Sequence, residues 1–153
     1  MPLGLKGSAL VTGAGGGIGR ACVEQLLRDG CERLVISDIH KDSLQETARL
    51  AKKINPEAEV VVEAGDIGLE QTAQSLVDIA VKNFGRLDYG LNVAGVAGEL
   101  KPIVDISTKG YDFVQDINAK SVWLCERAQI KQMLKQEPLP TQLSEMAILL
   151  RNF

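Results

Sequence analysis

The stretch TGAGGGIGR, residues 12–20, directly follows a short apolar run and opens a helical pattern. A strand-to-helix junction of this kind needs a tight turn, a close backbone approach to a ligand and a helix packed near the strand, and glycine serves all three needs. The free amides and the positive end of the helix dipole then favour an anion such as a pyrophosphate. The position of the motif disfavours the alternative, a loop that is merely rich in glycine. A nucleoside-triphosphate loop is also disfavoured, because no Gly-Lys-Ser/Thr sequence follows.

Apolar runs and helical patterns alternate along the chain. Residues 9–11, 34–36 and 60–62 are short, continuous apolar runs, as expected for strands buried on both faces, and residues 87–92 form a fourth strand. Helical stripes lie between them: Ile18, Cys22 and Leu26; Leu44, Ala48, Ala51 and Ile54; and Leu69, Ala73, Leu76, Ala80 and Phe84. This alternation predicts an α/β fold with a doubly wound parallel sheet of the Rossmann type.

A long helix follows the fourth strand and its loop. Ser107 or Thr108 can cap this helix, which runs to about Gln136 and is followed by two prolines. Its apolar stripe is Val114, Ile117, Ser121, Leu124 and Ala128. We therefore expect a partial dinucleotide-binding domain over residues 1–137 and a divergent tail over residues 138–153.

Composition and charge narrow the class of protein. With 45% hydrophobic and 24% charged residues the chain is typical of a soluble globular domain. A net charge of −3 without a basic tract argues against nucleic-acid or anionic-membrane partners. No apolar run reaches the ~18 residues of a membrane span and no signal-peptide pattern opens the chain, so we expect a cytoplasmic protein. Cys22, Cys31 and Cys125 share no CxxC spacing and His40 is the single histidine, which favours reduced thiols and a surface histidine over a metal site.

Asp38 lies 19 residues beyond Gly19, at the end of the second strand. A dinucleotide fold places a carboxylate there to accept hydrogen bonds from the adenosine ribose hydroxyls. This carboxylate would repel a 2′-phosphate, and the next residue is Ile39 and not an arginine that could pair with one. A helix-capping aspartate is the alternative interpretation. The sequence favours NAD over NADP as the cofactor.

With these residues the chain resembles the short-chain dehydrogenase/reductase family. Gly13, Gly17 and Gly19 follow the TGxxxGxG spacing of that family, which differs from the GxGxxG of other dinucleotide folds. The resemblance covers about residues 5–136. It implies that these glycines, Ile18 and Asp38 bind a nicotinamide dinucleotide.

Three further matches occur in the order that the family has. Asp66, after the third strand, resembles the adenine-contacting aspartate of the family. Asn92 opens an NVAG sequence that resembles the NNAG motif, with Val93 in place of the second asparagine. Asn118 resembles the asparagine that kinks the long fourth helix and joins the proton relay. The resemblance thus assigns Asp66 and Asn92 to the cofactor and Asn118 to catalysis.

The remaining catalytic residues of the family are missing from this sequence. Family members use a serine and a Tyr-xxx-Lys pair, in which the lysine lowers a tyrosine pKa that is otherwise about 10. Neither Tyr89 nor Tyr111 has a lysine four residues later, and both precede Asn118, whereas the pair of the family follows it. Ser144 has no strand pattern around it. The resemblance implies the cofactor-binding half of an NAD(P)-dependent oxidoreductase of alcohols or carbonyls, truncated after about four strands and inactive alone.

Other interpretations stay open at this point, namely a non-catalytic nucleotide-binding or interaction module and a non-functional fragment. The strand at residues 87–92 would be an exposed edge, which is a template for pairing with another chain. We therefore expect homo- or hetero-oligomers through this edge or through the helix at residues 111–136, and self-association of the isolated chain. The apolar segment 146–150 could cover part of the edge. The substrate, a small alcohol or carbonyl compound if the chain is active, cannot be identified, because in the family it is determined mostly by the missing half.

Overall fold

A computed structural model describes residues 3–140 of the chain. Four parallel strands form one sheet in the order β3-β2-β1-β4. The strands are β1 (Ser8–Thr12), β2 (Arg33–Asp38), β3 (Glu59–Ala64) and β4 (Tyr89–Asn92). This architecture confirms the predicted α/β class and the Rossmann-type parallel sheet. The fourth strand begins two residues later than its apolar run predicts.

Within residues 3–140, five α-helices connect and cover the strands. They are α1 (Gly17–Arg28), α2 (Lys41–Ile54), α3 (Glu70–Phe84), α4 (Thr108–Gln115) and α5 (Ser121–Met133). The π-helical segment Asp116–Lys120 joins α4 to α5, and a 3-10 turn at Ile103–Asp105 precedes α4. The predicted long helix is thus real but interrupted, and Ser107 is its N-cap, with a side-chain oxygen that accepts from the amide of Gly110 at 3.0 Å.

The core has two layers because the sheet is covered on both faces. Alternate strand residues such as Val11 and Ile36 pack with α1 and α2, whereas Leu10 and Val35 pack with α3 and α5. This explains why the strands are continuous apolar runs in the sequence. Cys31 is buried in the first layer and Cys125 in the second, both as free thiols, while Cys22 is half-buried. Burial raises the pKa of each of the two buried thiols to about 11.

The stripe predicted for α1 is wrong at its first residue. Ile18 is 75% exposed, and the buried face of α1 consists of Gly19, Val23, Leu26 and Leu27. Ile18 instead lines a cavity at the carboxyl ends of the strands, so its side chain is not packed in the core. Leu69 is likewise 47% exposed because it precedes α3 and does not belong to the helix. His40 is exposed, as predicted.

At the outer edge of the fourth strand, fewer backbone groups are unpaired than the sequence predicts. Leu87, just before β4, is buried, and its amide and carbonyl both bind the side-chain amide of Gln136 at 2.8 Å. The amide of Asp88 pairs with the carbonyl of Ser8 at 2.9 Å. One glutamine side chain thus takes the place of a neighbouring strand at Leu87. The predicted covering segment, residues 146–150, and the rest of 141–153 lie outside the described residues.

No helix within residues 3–140 is long and apolar enough to cross a membrane.

Candidate functional site

A cavity of about 560 Å³ opens at the carboxyl ends of the four strands. It is centred where the chain reverses direction across the sheet, between β1 and β4, which is where open α/β sheets bind ligands. The lining residues are Thr12, Gly13, Gly16, Gly17, Ile18, Gly19, Ser37, Asp38, Ile39, Gly65, Asp66, Ile67, Val93, Ala94, Gly95, Val96, Phe113 and Ile117. Six of the eight residues that the sequence selects therefore meet at one cavity.

At two positions of the loop, neighbouring backbone atoms leave no room for a side chain, so only glycine fits. At Gly13 the backbone has φ of +66°, and a Cβ atom would lie 2.6 Å from the amide nitrogen of Ala94. At Gly19 a Cβ atom would overlap the carbonyl oxygen of Gly13. The first position lets the loop pass the end of β4, and the second lets α1 start directly on the loop, as the sequence predicts.

The amide groups at the start of α1 form the floor of the cavity. Gly16 is the N-cap, and the amides of Gly17, Ile18 and Gly19 belong to the first turn, which has no acceptor within the helix. These residues line the cavity, and the positive end of the α1 dipole points at it. No lysine, arginine or histidine is among the lining residues of the described chain. An anion in this cavity would therefore be held by backbone amides.

Asp38 is held in place by two backbone amides. One carboxylate oxygen accepts from the amide of Gly15 at 2.9 Å and the other from the amide of His40 at 3.1 Å. The carboxylate thus ties the glycine loop to the start of α2 and also borders the cavity. Both interpretations of this residue, turn-capping and ligand-binding, are compatible with that position.

Asp66, like Asp38, both stabilises a turn and lines the cavity. Its side chain accepts from the amide of Gly68 at 2.9 Å, and its carbonyl accepts from the amide of Leu69 at 3.2 Å, so it shapes the turn into α3. It lines the cavity next to Ile67, on the side of β3. The two carboxylates therefore occupy the β2–β3 end of the cavity.

The β4 end of the cavity is apolar and is braced from behind. Val93, Val96, Phe113 and Ile117 contribute its side chains. Asn118 does not line the cavity but binds the backbone of Val96 twice, with its amide group donating to the carbonyl and its oxygen accepting from the amide, both at 2.8 Å. Asn118 lies in the π-helical segment, where the resemblance expects a kink, and it fixes the wall that its neighbour Ile117 helps to form.

Asn92 turns away from the cavity. Its side chain forms an amide pair with Gln129 of α5, at 2.9 and 3.1 Å, and Gln129 is buried. Sequence reasoning missed Gln129, although its position eight residues after the buried Ser121 places it two helical turns further along the same face. The role of Asn92 in this structure is to hold the end of β4 against α5. Its assignment to the cofactor stays a prediction.

A family model described as enoyl-(acyl carrier protein) reductase matches residues 13–146. A short-chain dehydrogenase/reductase of Hericium erinaceus, eriH, is 36% identical over 133 residues, which are 86% of this chain and 52% of that protein. The chain spans about half the length of the curated relatives it matches.

Solved structures agree with these matches. Levodione reductase superposes with a TM-score of 0.81 at 29% identity, covering 85% of this chain and 50% of the other. An NAD⁺-bound xylitol dehydrogenase superposes with a TM-score of 0.79 at 28% identity, covering 85% of this chain and 49% of the other. With the glycine spacing, the sheet order and the family match, the chain belongs to the short-chain dehydrogenase/reductase family of oxidoreductases.

Proposed function

We propose that the cavity binds a nicotinamide dinucleotide and that the chain provides the cofactor-binding part of an NAD(P)-dependent oxidoreductase of alcohols or carbonyls. The observation that carries this proposal is the meeting of Gly13, Gly17, Gly19, Asp38 and Asp66 at one cavity at the carboxyl ends of the strands. The NAD⁺ bound to the structurally similar xylitol dehydrogenase supports it.

The order of the strands supports one orientation of the ligand in this proposal. The adenosine lies toward β3 and β2, where Asp66 and Asp38 can accept hydrogen bonds from the base and the ribose hydroxyls. The diphosphate lies over the first turn of α1, where the amides of Gly17 and Ile18 face the cavity. The second nucleoside extends toward the apolar wall after β4. When bound, the dinucleotide supplies the hydride acceptor or donor.

The same geometry supports NAD as the preferred cofactor. Two amides hold the Asp38 carboxylate at the cavity, and Ile39 beside it is 63% exposed and carries no charge. A 2′-phosphate would meet this carboxylate without a cation among the lining residues.

Titration calorimetry with NAD and NADP tests the preference. We expect tighter binding of NAD, and a loss of about 1.5–3 kcal/mol of NAD binding free energy in Asp38→Ala, the size of a hydrogen bond to a charged group. Asp42→Ala is the matched control, because it removes an exposed carboxylate from the first turn of α2, away from the cavity. Equal or reversed cofactor preference would contradict the proposal of NAD, whereas absence of binding to either would contradict the site itself.

We also propose that this chain of 153 residues binds the cofactor without turning over a substrate. No Tyr-xxx-Lys sequence occurs in it, and Asn118 alone represents the catalytic residues of the family. Loss of a general acid or base costs about 10²–10⁴ in rate. Following NADH absorbance with a panel of alcohols and ketones tests this. Sustained turnover that disappears in Asn118→Ala would contradict it and would imply an unidentified base.

A non-catalytic nucleotide-binding or interaction module is the second candidate function. Its supporting observation is the exposed apolar surface of α5 and the residue that follows it: Trp123 is 54%, Ile130 52% and Leu134 81% exposed. Cofactor binding without turnover, together with oligomers on size-exclusion chromatography, would favour it over an enzyme. We also propose that residues 1–137 are the cofactor-binding domain and that residues 138–153 are a tail. The proposed location is the cytoplasm.

A further inference from the structure

Thr47 has a buried hydroxyl group that faces the back of the glycine loop. The residue lies in the middle of α2 and is 1% exposed. Its Oγ1 lies 2.8 Å from the carbonyl oxygen of Ala14 and 3.0 Å from Nε of Arg20. The hydroxyl therefore donates to the loop and accepts from the guanidinium, although it also lies 3.1 Å from the carbonyl of Ser43 in its own helix. Because a buried hydroxyl without partners is costly, these contacts determine its orientation.

Arg20 makes a similar contact with the carbonyl of the next residue of the loop. Its Nη2 donates to the carbonyl of Gly15 at 2.6 Å and approaches the carbonyl of Ser43 at 3.4 Å. The side chain thus bridges the loop and α2 from the first turns of α1. Like Thr47, Arg20 is not among the residues that line the cavity.

All four backbone groups of Ala14 and Gly15 are hydrogen-bonded within the protein. The amide of Ala14 donates to the carbonyl of Ser37 at 3.0 Å, and the amide of Gly15 donates to Asp38. The two carbonyls accept from Thr47 and Arg20, as described. Neither Ala14 nor Gly15 lines the cavity. This half of the loop is therefore anchored to β2 and α2, and the ligand-facing half starts at Gly16.

We propose that Thr47 and Arg20 are positioning residues that hold the glycine loop in the conformation that binds the diphosphate. The amides of Gly17 and Ile18 follow the anchored dipeptide after a single residue, Gly16, so the anchor constrains their direction. A loop that is ordered before the ligand arrives binds it without a further entropic cost. The inference rests on the proposed dinucleotide site, and it concerns the diphosphate more than the adenosine.

The test compares ADP with adenosine. Thr47→Val removes the hydroxyl and keeps the shape, Thr47→Ser keeps the hydroxyl, and ADP binding is measured by titration calorimetry with thermal unfolding alongside. We expect Thr47→Val to weaken ADP binding about tenfold, as for one hydrogen bond to the loop, while Thr47→Ser stays within about threefold of the wild type. Adenosine, followed by NMR chemical-shift titration, is expected to bind both variants within about twofold of the wild type, because it has no phosphate to reach the loop.

A second variant keeps the inference testable if Thr47→Val does not fold. Arg20→Lys preserves the charge but cannot reach the Thr47 hydroxyl and the Gly15 carbonyl together, since it has a single nitrogen in place of the planar fork. Its matched control is Arg49→Lys, on the exposed face of α2, where the arginine pairs with Glu46. We expect weaker ADP binding in Arg20→Lys alone.

The outcomes separate this inference from the proposed function. If the wild type binds ADP and NAD but Thr47→Val and Arg20→Lys bind ADP as well as it does, or lose adenosine equally, the positioning role is overturned and the site stands. If the wild type binds neither nucleotide, the proposed function fails first.

Discussion

The two ends of the cavity differ in how their backbone is held. At the β2 end, the Ala14–Gly15 segment is anchored through all four of its backbone groups, in part by the buried Thr47. At the β4 end, the loop is held by Asn118, an exposed residue of the π-helical segment, and by the buried Thr12 hydroxyl, which accepts from the amides of Val93 and Ala94 at 3.2 and 3.4 Å. Its cavity surface is apolar. From this difference we expect the β2 end to determine affinity for the proposed diphosphate, and the β4 end to adapt to what lies against it.

The largest effect is expected at the anchored end. In Gly19→Ala the new methyl group would overlap the backbone of Gly13, which cannot move without disturbing β4 as well. We expect a loss of about 3 kcal/mol in the free energy of unfolding and no measurable ADP binding. Urea unfolding followed by circular dichroism measures the first quantity. Gly16→Ala is the control, because a Cβ atom there meets no atom within 4 Å and the backbone is extended. Equal stability of the two variants would contradict the tight packing of the loop.

A smaller effect is expected at the braced end. Asn118→Ala removes both bonds to Val96, at a cost of about 1 kcal/mol in the free energy of unfolding because the site is exposed. Faster hydrogen exchange at the amide of Val96 is the direct measurement. ADP affinity should stay within about twofold of the wild type. A tenfold loss of ADP binding would contradict this expectation and would show that the two ends of the cavity are coupled.

The outer edge of β4 provides a third, weaker effect. In Gln136→Ala the amide and carbonyl of Leu87 lose their partner, so a second chain could pair there. We expect a change of less than about 1 kcal/mol in the free energy of unfolding but more self-association, measured by size-exclusion chromatography with light scattering. Gln74→Ala, on the exposed face of α3, controls for loss of a glutamine. Identical monomer fractions in the two variants would mean that Gln136 does not protect the edge.

The smallest difference is expected between the two buried thiols, one in each layer of the core, which should behave alike. Burial raises the pKa of Cys31, beside α1, and of Cys125, in α5, from 9.0 to about 11. Between pH 9 and 11 the thiols ionise in the unfolded chain but stay protonated in the folded one, so the free energy of unfolding falls as pH rises through this window. Iodoacetamide labelling at pH 8, read by mass spectrometry, should be equally slow at both. Fast labelling of Cys125 alone would show that the β4 side opens.

Local features were predictable from the sequence. The turn at Gly13, the start of α1 at Gly17 and the carboxylates after β2 and β3 depend on neighbours in the chain, and all of them lie at the cavity as expected. The interruption of the long helix was predictable through the family resemblance of Asn118. The exposure of Ile18 was not, because a helical stripe does not reveal where the core ends.

The polar residues that fix the site from behind could not be predicted. Thr47, Gln129 and Gln136 are ordinary residues within predicted helical patterns, and their roles depend on partners 27 to 49 residues away. Only the tertiary packing of α2 and α5 gives these side chains their function.

The contact between Gln136 and Leu87 has a consequence during synthesis of the chain on the ribosome. The two residues are 49 positions apart, so the ribosome adds the glutamine well after the strand segment has been synthesised. At about 5–20 residues per second this interval is about 2–10 s. During that time the backbone of Leu87 has no glutamine to bind, so the bonds that cap this part of the edge can form only after residue 136 has been synthesised.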